Sequence, residues 1–153
     1  KQTLDELLSW LQSNDRDKHR AAAVEMRKFK DVRSAAALVN AFKYQDIDLQ
    51  HCLEDSLIEI GEPAIQPLIE ALNDQSSYVR WRALFTLKKN PIEIFRKIGS
   101  KAKGAIPILE GLLKDREEHV REAAKESLTK IRGSLMDSDP VIKRKKWWEF
   151  WKN

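Results

Sequence analysis

The sequence predicts an all-α solenoid of about four stacked helical hairpins, and three observations predict it. The stretch Gly61 to Leu87 reads as two amphipathic helices joined by a short polar turn. Its apolar spacing recurs at three other places along the 153 residues. The recurrences are separated by 31, 30 and 41 residues, a period that marks repeat proteins built of helices.

Within Gly61–Leu87, Pro63 suits a first helical turn, where its missing N–H has no partner to lose, and Gly61 breaks the preceding helix. Ile65, Leu68, Ile69 and Leu72 share one helical face. Asn73, Asp74, Gln75, Ser76 and Ser77 then interrupt the apolar pattern with side chains that bond their own backbone in turns and caps. Val79, Ala83 and Leu87 resume it at intervals of four. So short a link forces the two helices antiparallel, and one such pair cannot bury both apolar faces without neighbours.

Spacing counts those neighbours. Core positions follow Leu72 at plus seven, eleven and fifteen. The same offsets give Lys18, Ala22 and Met26 from Leu11. From Phe42 they give Leu49, Leu53 and Leu57, and from Leu113 they give Val120, Ala124 and Leu128. Eleven of the twelve positions are apolar, Lys18 being the exception, which a chance pattern would not produce.

Repeat one, about 3–30, opens with Thr3 as N-cap and Glu6 completing a capping box. Leu4, Leu7, Leu8 and Leu11 form its first stripe, and Ala22, Met26 and Phe29 point inward from its second helix. Trp10 is expected to shield the open end of the stack. Repeat two, 31–61, uses Ala35, Leu38, Val39 and Phe42, then Leu49, Leu53, Leu57 and Ile60; its helices hold no Gly or Pro and should be regular. Cys52 reads as a small helix residue packed in the repeat, and His51 with Asp55 at i+4 as a surface pair.

Repeat three, 62–99, departs from its siblings. At plus nine and plus thirteen it alone carries two aromatics, Trp81 and Phe85, one turn apart. It also carries an insertion, 90–101, in which Pro91 opens a new turn and Ile92, Ile94, Phe95 and Ile98 give an apolar side. Trp81 and Phe85 either pack beneath the insertion or form a partner hot spot on the inner surface; packing is preferred, because one feature then explains the other. Repeat four, 102–133, uses Ala105, Ile106, Ile108, Leu109 and Leu112 or Leu113, and its second helix is expected to stop at Gly133.

A linker, 134–139, leads to a basic and aromatic helical tail, 140–153. Lys143, Arg144, Lys145 and Lys146 run directly into Trp147, Trp148, Phe150 and Trp151. Three roles are open: a cap on repeat four or self-association, an anionic membrane surface, or a groove in another protein. The formal net charge of +4 resides in this tail, and the repeats are neutral. Nucleic acid is therefore disfavoured as a partner, since the body offers no basic track.

Here the residues carry a family resemblance. IGEPAIQPLIEALNDQSSYVRWRAL and IGSKAKGAIPILEGLLKDREEHVREAAKESL share Leu-x-Asp in the turn and Val-Arg-x-x-Ala on the second helix. They resemble HEAT repeats, closest to the short HEAT-like class named after phycobilisome lyases. The resemblance implies an armadillo-type right-handed superhelix over 3–133. It also implies a structural ladder between repeats through Asp74, Arg80, Asp115 and Arg121. In repeats one and two, His19 and Gln50 replace the Arg, and Ser13 and Tyr44 replace the Asp.

The fold hosts many functions, and with no catalytic constellation in the sequence the leading expectation is a non-enzymatic scaffold that binds a protein or peptide on a concave face lined by second helices; the lone cysteine fits a cytoplasmic setting. The rival class is a HEAT-like enzyme or accessory factor, bilin lyase-like or nucleic-acid-processing. The three histidines show no metal-ligand spacing, and no Gly-rich phosphate loop occurs, so neither metal nor cofactor is expected. The single cysteine excludes an internal disulfide. No apolar run is long enough to span a membrane, and no signal-peptide pattern opens the chain.

Overall fold

A computed structural model describes the backbone of residues 2–89 and 100–138 and the side chains of 2–89 and 105–133. The described residues form eight α-helices: α1 Leu4–Gln12, α2 Arg16–Met26, α3 Val32–Asn40, α4 Ile47–Ile60, α5 Ile65–Ala71, α6 Ser77–Lys89, α7 Ser100–Leu112 and α8 Glu118–Ser138. Two 3₁₀ turns, Ala41–Tyr44 and Glu62–Ala64, join them. No strand occurs among the described residues.

The helix starts follow from side chains that satisfy the unpaired N–H groups of a first turn. Thr3 and Glu6 form the expected capping box, with Thr3 N–H donating to Glu6 Oε2 at 2.8 Å. Asp15, Asp31 and Asp46 cap α2, α3 and α4 through Asp17, Ser34 and Leu49 N–H. The Leu49 bond holds the Asp46 carboxyl below the usual carboxylate range. Gly61 ends α4 at φ +76° and ψ −127°, a conformation that L side chains rarely adopt.

The hairpins α1/α2, α3/α4, α5/α6 and α7/α8 pack consecutively in two layers. Second helices follow one another as α2, α4, α6 and α8, and first helices as α1, α3 and α5. One contiguous core runs from Leu7 to Ile131. All eleven apolar offset positions are buried and Lys18 is not. This is an α-solenoid.

Four details differ from expectation. Phe29 is 40% exposed, because α2 ends at Met26 and Lys30 turns the chain with φ 48°. Leu113 is also 40% exposed, with Leu112 buried in its place; its counterpart Leu72 is sealed, but no described hairpin follows the fourth. α8 runs through Gly133 to Ser138, so most of the expected linker 134–139 is helix. A single Gly inside a long helix costs only about 1 kcal/mol, and Gly133 here serves no stop. Phe42, expected in the first helix of repeat two, sits in the 3₁₀ turn after it and is still fully buried. Trp10 is half-buried against the core. The apolar side expected for Ile92, Ile94, Phe95 and Ile98 lies outside the described residues.

Candidate partner-binding face

Helix α6 is the most differentiated of the second helices. Val79, Ala83, Leu84 and Leu87 enter the core, Arg82 and Thr86 are also buried, and Tyr78, Trp81 and Phe85 stay half-buried. Trp81 stands at the centre of a ring cluster. Its centroid lies 5.7 Å from Phe85, 6.1 Å from Tyr78 and 5.9 Å from His119 of α8, which meets it edge-on. Offset and edge-on geometries of this kind are favourable for aromatic quadrupoles.

An ion network rooted on a buried carboxylate adjoins the cluster. Glu54 of α4 is 0% exposed. Its Oε1 accepts from Arg82 Nη1 at 2.7 Å and its Oε2 from Lys89 Nζ at 2.9 Å. Arg82 also donates from Nε to Tyr78 Oη at 3.2 Å. The guanidinium lies 5.0 Å over the Trp81 ring and 5.5 Å over Tyr78, and Lys89 lies 5.1 Å over Phe85. A carboxylate without solvent must be paired, and this one binds two cations that in turn face three rings. Sequence reasoning missed Glu54 and Arg82. The offsets carried no clear signal, because plus twelve holds Ala23, Glu54, Leu84 and Lys125 in the four repeats.

A second set of contacts joins the hairpins at their turns. The residue at plus eight donates to a carbonyl of its own turn in every repeat. His19 Nε2 reaches Ser13 O, and Gln50 Nε2 reaches Phe42 O at 3.3 Å. Arg80 Nη1 reaches Asp74 O and Gln75 O at 2.8 and 3.0 Å, and Arg121 Nη1 reaches Asp115 O and Arg116 O at 2.8 and 2.9 Å. Between hairpins the contacts diverge. Tyr44 stacks on His19, centroids 4.6 Å apart, and donates to Leu11 O at 2.7 Å. Arg80 grips both oxygens of Asp115 at 2.8 and 2.9 Å, which holds that carboxyl below the usual range. Gln50 and Asp74 are not brought together. Asp74 caps Ser76 N–H, and the buried Gln50 Oε1 has no partner.

Beside that unmade contact, a groove of about 460 Å³ opens between α3 and α5, with Ala36, Val39, Ala71 and Val79 lining it and Lys43, Glu70 and Asp74 adding charge. His51 and Asp55 are exposed and form no bond with each other. Cys52 is half-buried against the core. Lys143, Arg144, Lys145, Lys146, Trp147, Trp148, Phe150 and Trp151 lie outside the described residues, as does the insertion expected over Trp81. Among the described residues, no group of His, Cys, Asp and Glu could hold a metal ion. No helix among them is long and apolar enough to cross a membrane.

The comparisons agree with this architecture. The family model for HEAT repeats matches residues 4–88 and again 65–143. It matches HEAT repeats as a class and does not single out the phycobilisome-lyase-like branch. Among solved structures, an engineered protein aligns at 18% identity with a TM-score of 0.51, over 90% of this chain and 68% of that one. A designed armadillo repeat protein aligns at 18% identity with a TM-score of 0.49, over 84% of this chain and 64% of that one. No curated protein matches the chain. The likeness to the engineered protein is one of fold, whereas the two overlapping family matches together span most of the sequence, and the chain belongs to the HEAT-repeat family.

Proposed function

We propose that this protein is a non-enzymatic interaction scaffold that binds a protein or peptide across its layer of second helices, at the cluster of Tyr78, Trp81 and Phe85. The observation that carries the reading is the exposure of that cluster together with its rigid footing. Trp81 and Phe85 keep part of their surface open although hairpins flank α6 on both sides. Arg82 lies over the Trp81 ring and Lys89 over Phe85, and Glu54 anchors both cations from the core. Rigid, half-buried aromatics lose little conformational entropy on binding, which is why Trp and Tyr dominate hot spots. A repeat solenoid also offers an extended surface on which neighbouring helices can hold one partner.

Site-specific photo-crosslinking tests this. A crosslinker at Phe85 should capture one defined protein, while a crosslinker at the exposed Val32 at the start of α3 should not. Capture from Val32 and not from Phe85 would assign binding to the other layer.

A further inference from the structure

Ion pairing on this face is uneven. The cations of α6 near the aromatic cluster already have carboxylate partners: Arg82 and Lys89 on Glu54, and Lys88 on Glu126. Cations of α2 and the residue that follows it are likewise matched by α4, with Arg20 on Asp48 and Arg27 on Glu59. Two carboxylates flanking the aromatics are not matched. Asp55 of α4 and Glu122 of α8 are exposed and make no ion pair among the described residues. Repeat register aligns them with the cluster, since Asp55 shares the plus-thirteen position with Phe85 and Glu122 shares the plus-nine position with Trp81. The His119–Trp81 contact and the Lys88–Glu126 pair show that α8 lies directly beside α6 here. Of the other cations of α8, Arg121 is held by the Asp115 and Arg116 carbonyls of its own turn, Arg132 pairs with Glu110, Lys130 lies beside Glu126, and Lys125 stands at the position whose counterparts are Ala23, Glu54 and Leu84 rather than the aromatics.

We infer that the partner of this face is a basic peptide segment carrying a bulky apolar anchor. The inference rests on the proposed scaffold reading and adds its chemistry. The anchor packs on Trp81 and Phe85, and Lys or Arg side chains on either side of it meet Asp55 and Glu122. An acidic segment would face the same two carboxylates, with every nearby α6 cation already engaged, and like charges at an interface select against a partner.

Binding of two synthetic peptides to the 153-residue chain separates the outcomes. One is lysine-rich with a single tryptophan; the other replaces each lysine by glutamate. The basic peptide should bind at least about tenfold tighter, a difference of roughly 1.4 kcal/mol, and its affinity should fall with added salt. Asp55→Lys combined with Glu122→Lys should reverse the preference, and Phe85→Ala should weaken the basic peptide without changing the salt dependence. Preference for the acidic peptide, still lost on Phe85→Ala, would overturn the charge assignment and leave the face standing. Binding indifferent to Phe85→Ala would overturn the face itself. Asp55 and Glu122 are exposed and Phe85 is half-buried, so unchanged circular dichroism melts establish that each variant is folded.

Discussion

Arg80 of the third hairpin grips the Asp115 carboxylate of the fourth with two parallel hydrogen bonds, 2.8 and 2.9 Å long. Both side chains are largely withdrawn from solvent, at 15% and 6% exposure. The guanidinium fork therefore acts on a carboxylate in a medium less screening than water. Asp115→Asn keeps the shape and removes the charge, and should cost about 1.5–3 kcal/mol in urea unfolding at neutral pH. The Arg80 hydrogen bond keeps the Asp115 carboxyl below its ordinary value in the folded state. Acid thus protonates the unfolded chain more readily than the folded one. The stabilisation is complete above the ordinary value of 3.8 and is lost as pH falls from there through the folded value. Asp115→Asn should show a shallower loss of stability over that acid range than the parent chain.

The second and third hairpins lack the corresponding contact, which makes Gln50→Arg a gain-of-stability variant. Gln50 occupies the position of Arg80, already donates to its own turn, and leaves Oε1 buried without a partner. An Arg there can reach the carboxylate of Asp74 as Arg80 reaches Asp115. The urea midpoint should rise by an amount equivalent to about 0.5–1.5 kcal/mol. Adding Asp74→Asn should abolish the gain. A gain that survives Asp74→Asn would mean that the guanidinium acts through carbonyls alone.

How far the sequence carried the reading follows from what each position depends on. Leu53, Ala83, Leu87 and Ala124 were legible because helical periodicity alone puts them inside. Leu113 matched the same pattern and is exposed, because Leu112, one residue earlier, takes the inward place at the end of α7. His19 and Gln50 read as departures from the family Arg; their rings and amides nevertheless perform the same donation to a turn carbonyl, a job any long donor can do. Trp81 and Phe85 were legible as unusual from their offsets. Their footing on Glu54 was not, because a pattern that scores polarity treats a core carboxylate as a surface residue until its partners are seen in space.

Gly61 provides a test of backbone conformation free of packing. A Cβ built there meets nothing within 4 Å, so Gly61→Ala introduces no clash. The residue nevertheless sits at φ +76° and ψ −127°, a region essentially restricted to glycine. The substitution should cost about 1–3 kcal/mol, partly offset by the smaller conformational freedom of Ala in the unfolded chain. Since Gly61 links α4 to the third hairpin, hydrogen exchange should accelerate first at the C-terminal end of α4 and around Glu62–Ala64.

The network beneath Trp81 gives the strongest single-site prediction and the one that best separates stability from binding. Glu54→Leu leaves Arg82 buried opposite an apolar side chain and should cost about 3–5 kcal/mol, enough to approach the whole stability of a small domain. The double variant Glu54→Leu with Arg82→Met replaces the pair by apolar groups of similar length. Repeats one and three tolerate Ala23 and Leu84 at the Glu54 position, and Ala21 stands at the Arg82 position of repeat one. Its unfolding free energy should therefore lie within about 1–2 kcal/mol of the parent. If the ion network serves chiefly to orient the aromatics, the double variant should melt like the parent while the Trp81 environment changes in near-ultraviolet circular dichroism. Capture by a crosslinker at Phe85 should then fall. A double variant that keeps both the spectrum and the capture would assign the rings their orientation from Val79, Ala83 and Leu87 packing alone, and would reduce Glu54 to a partner that Arg82 requires and the binding face does not.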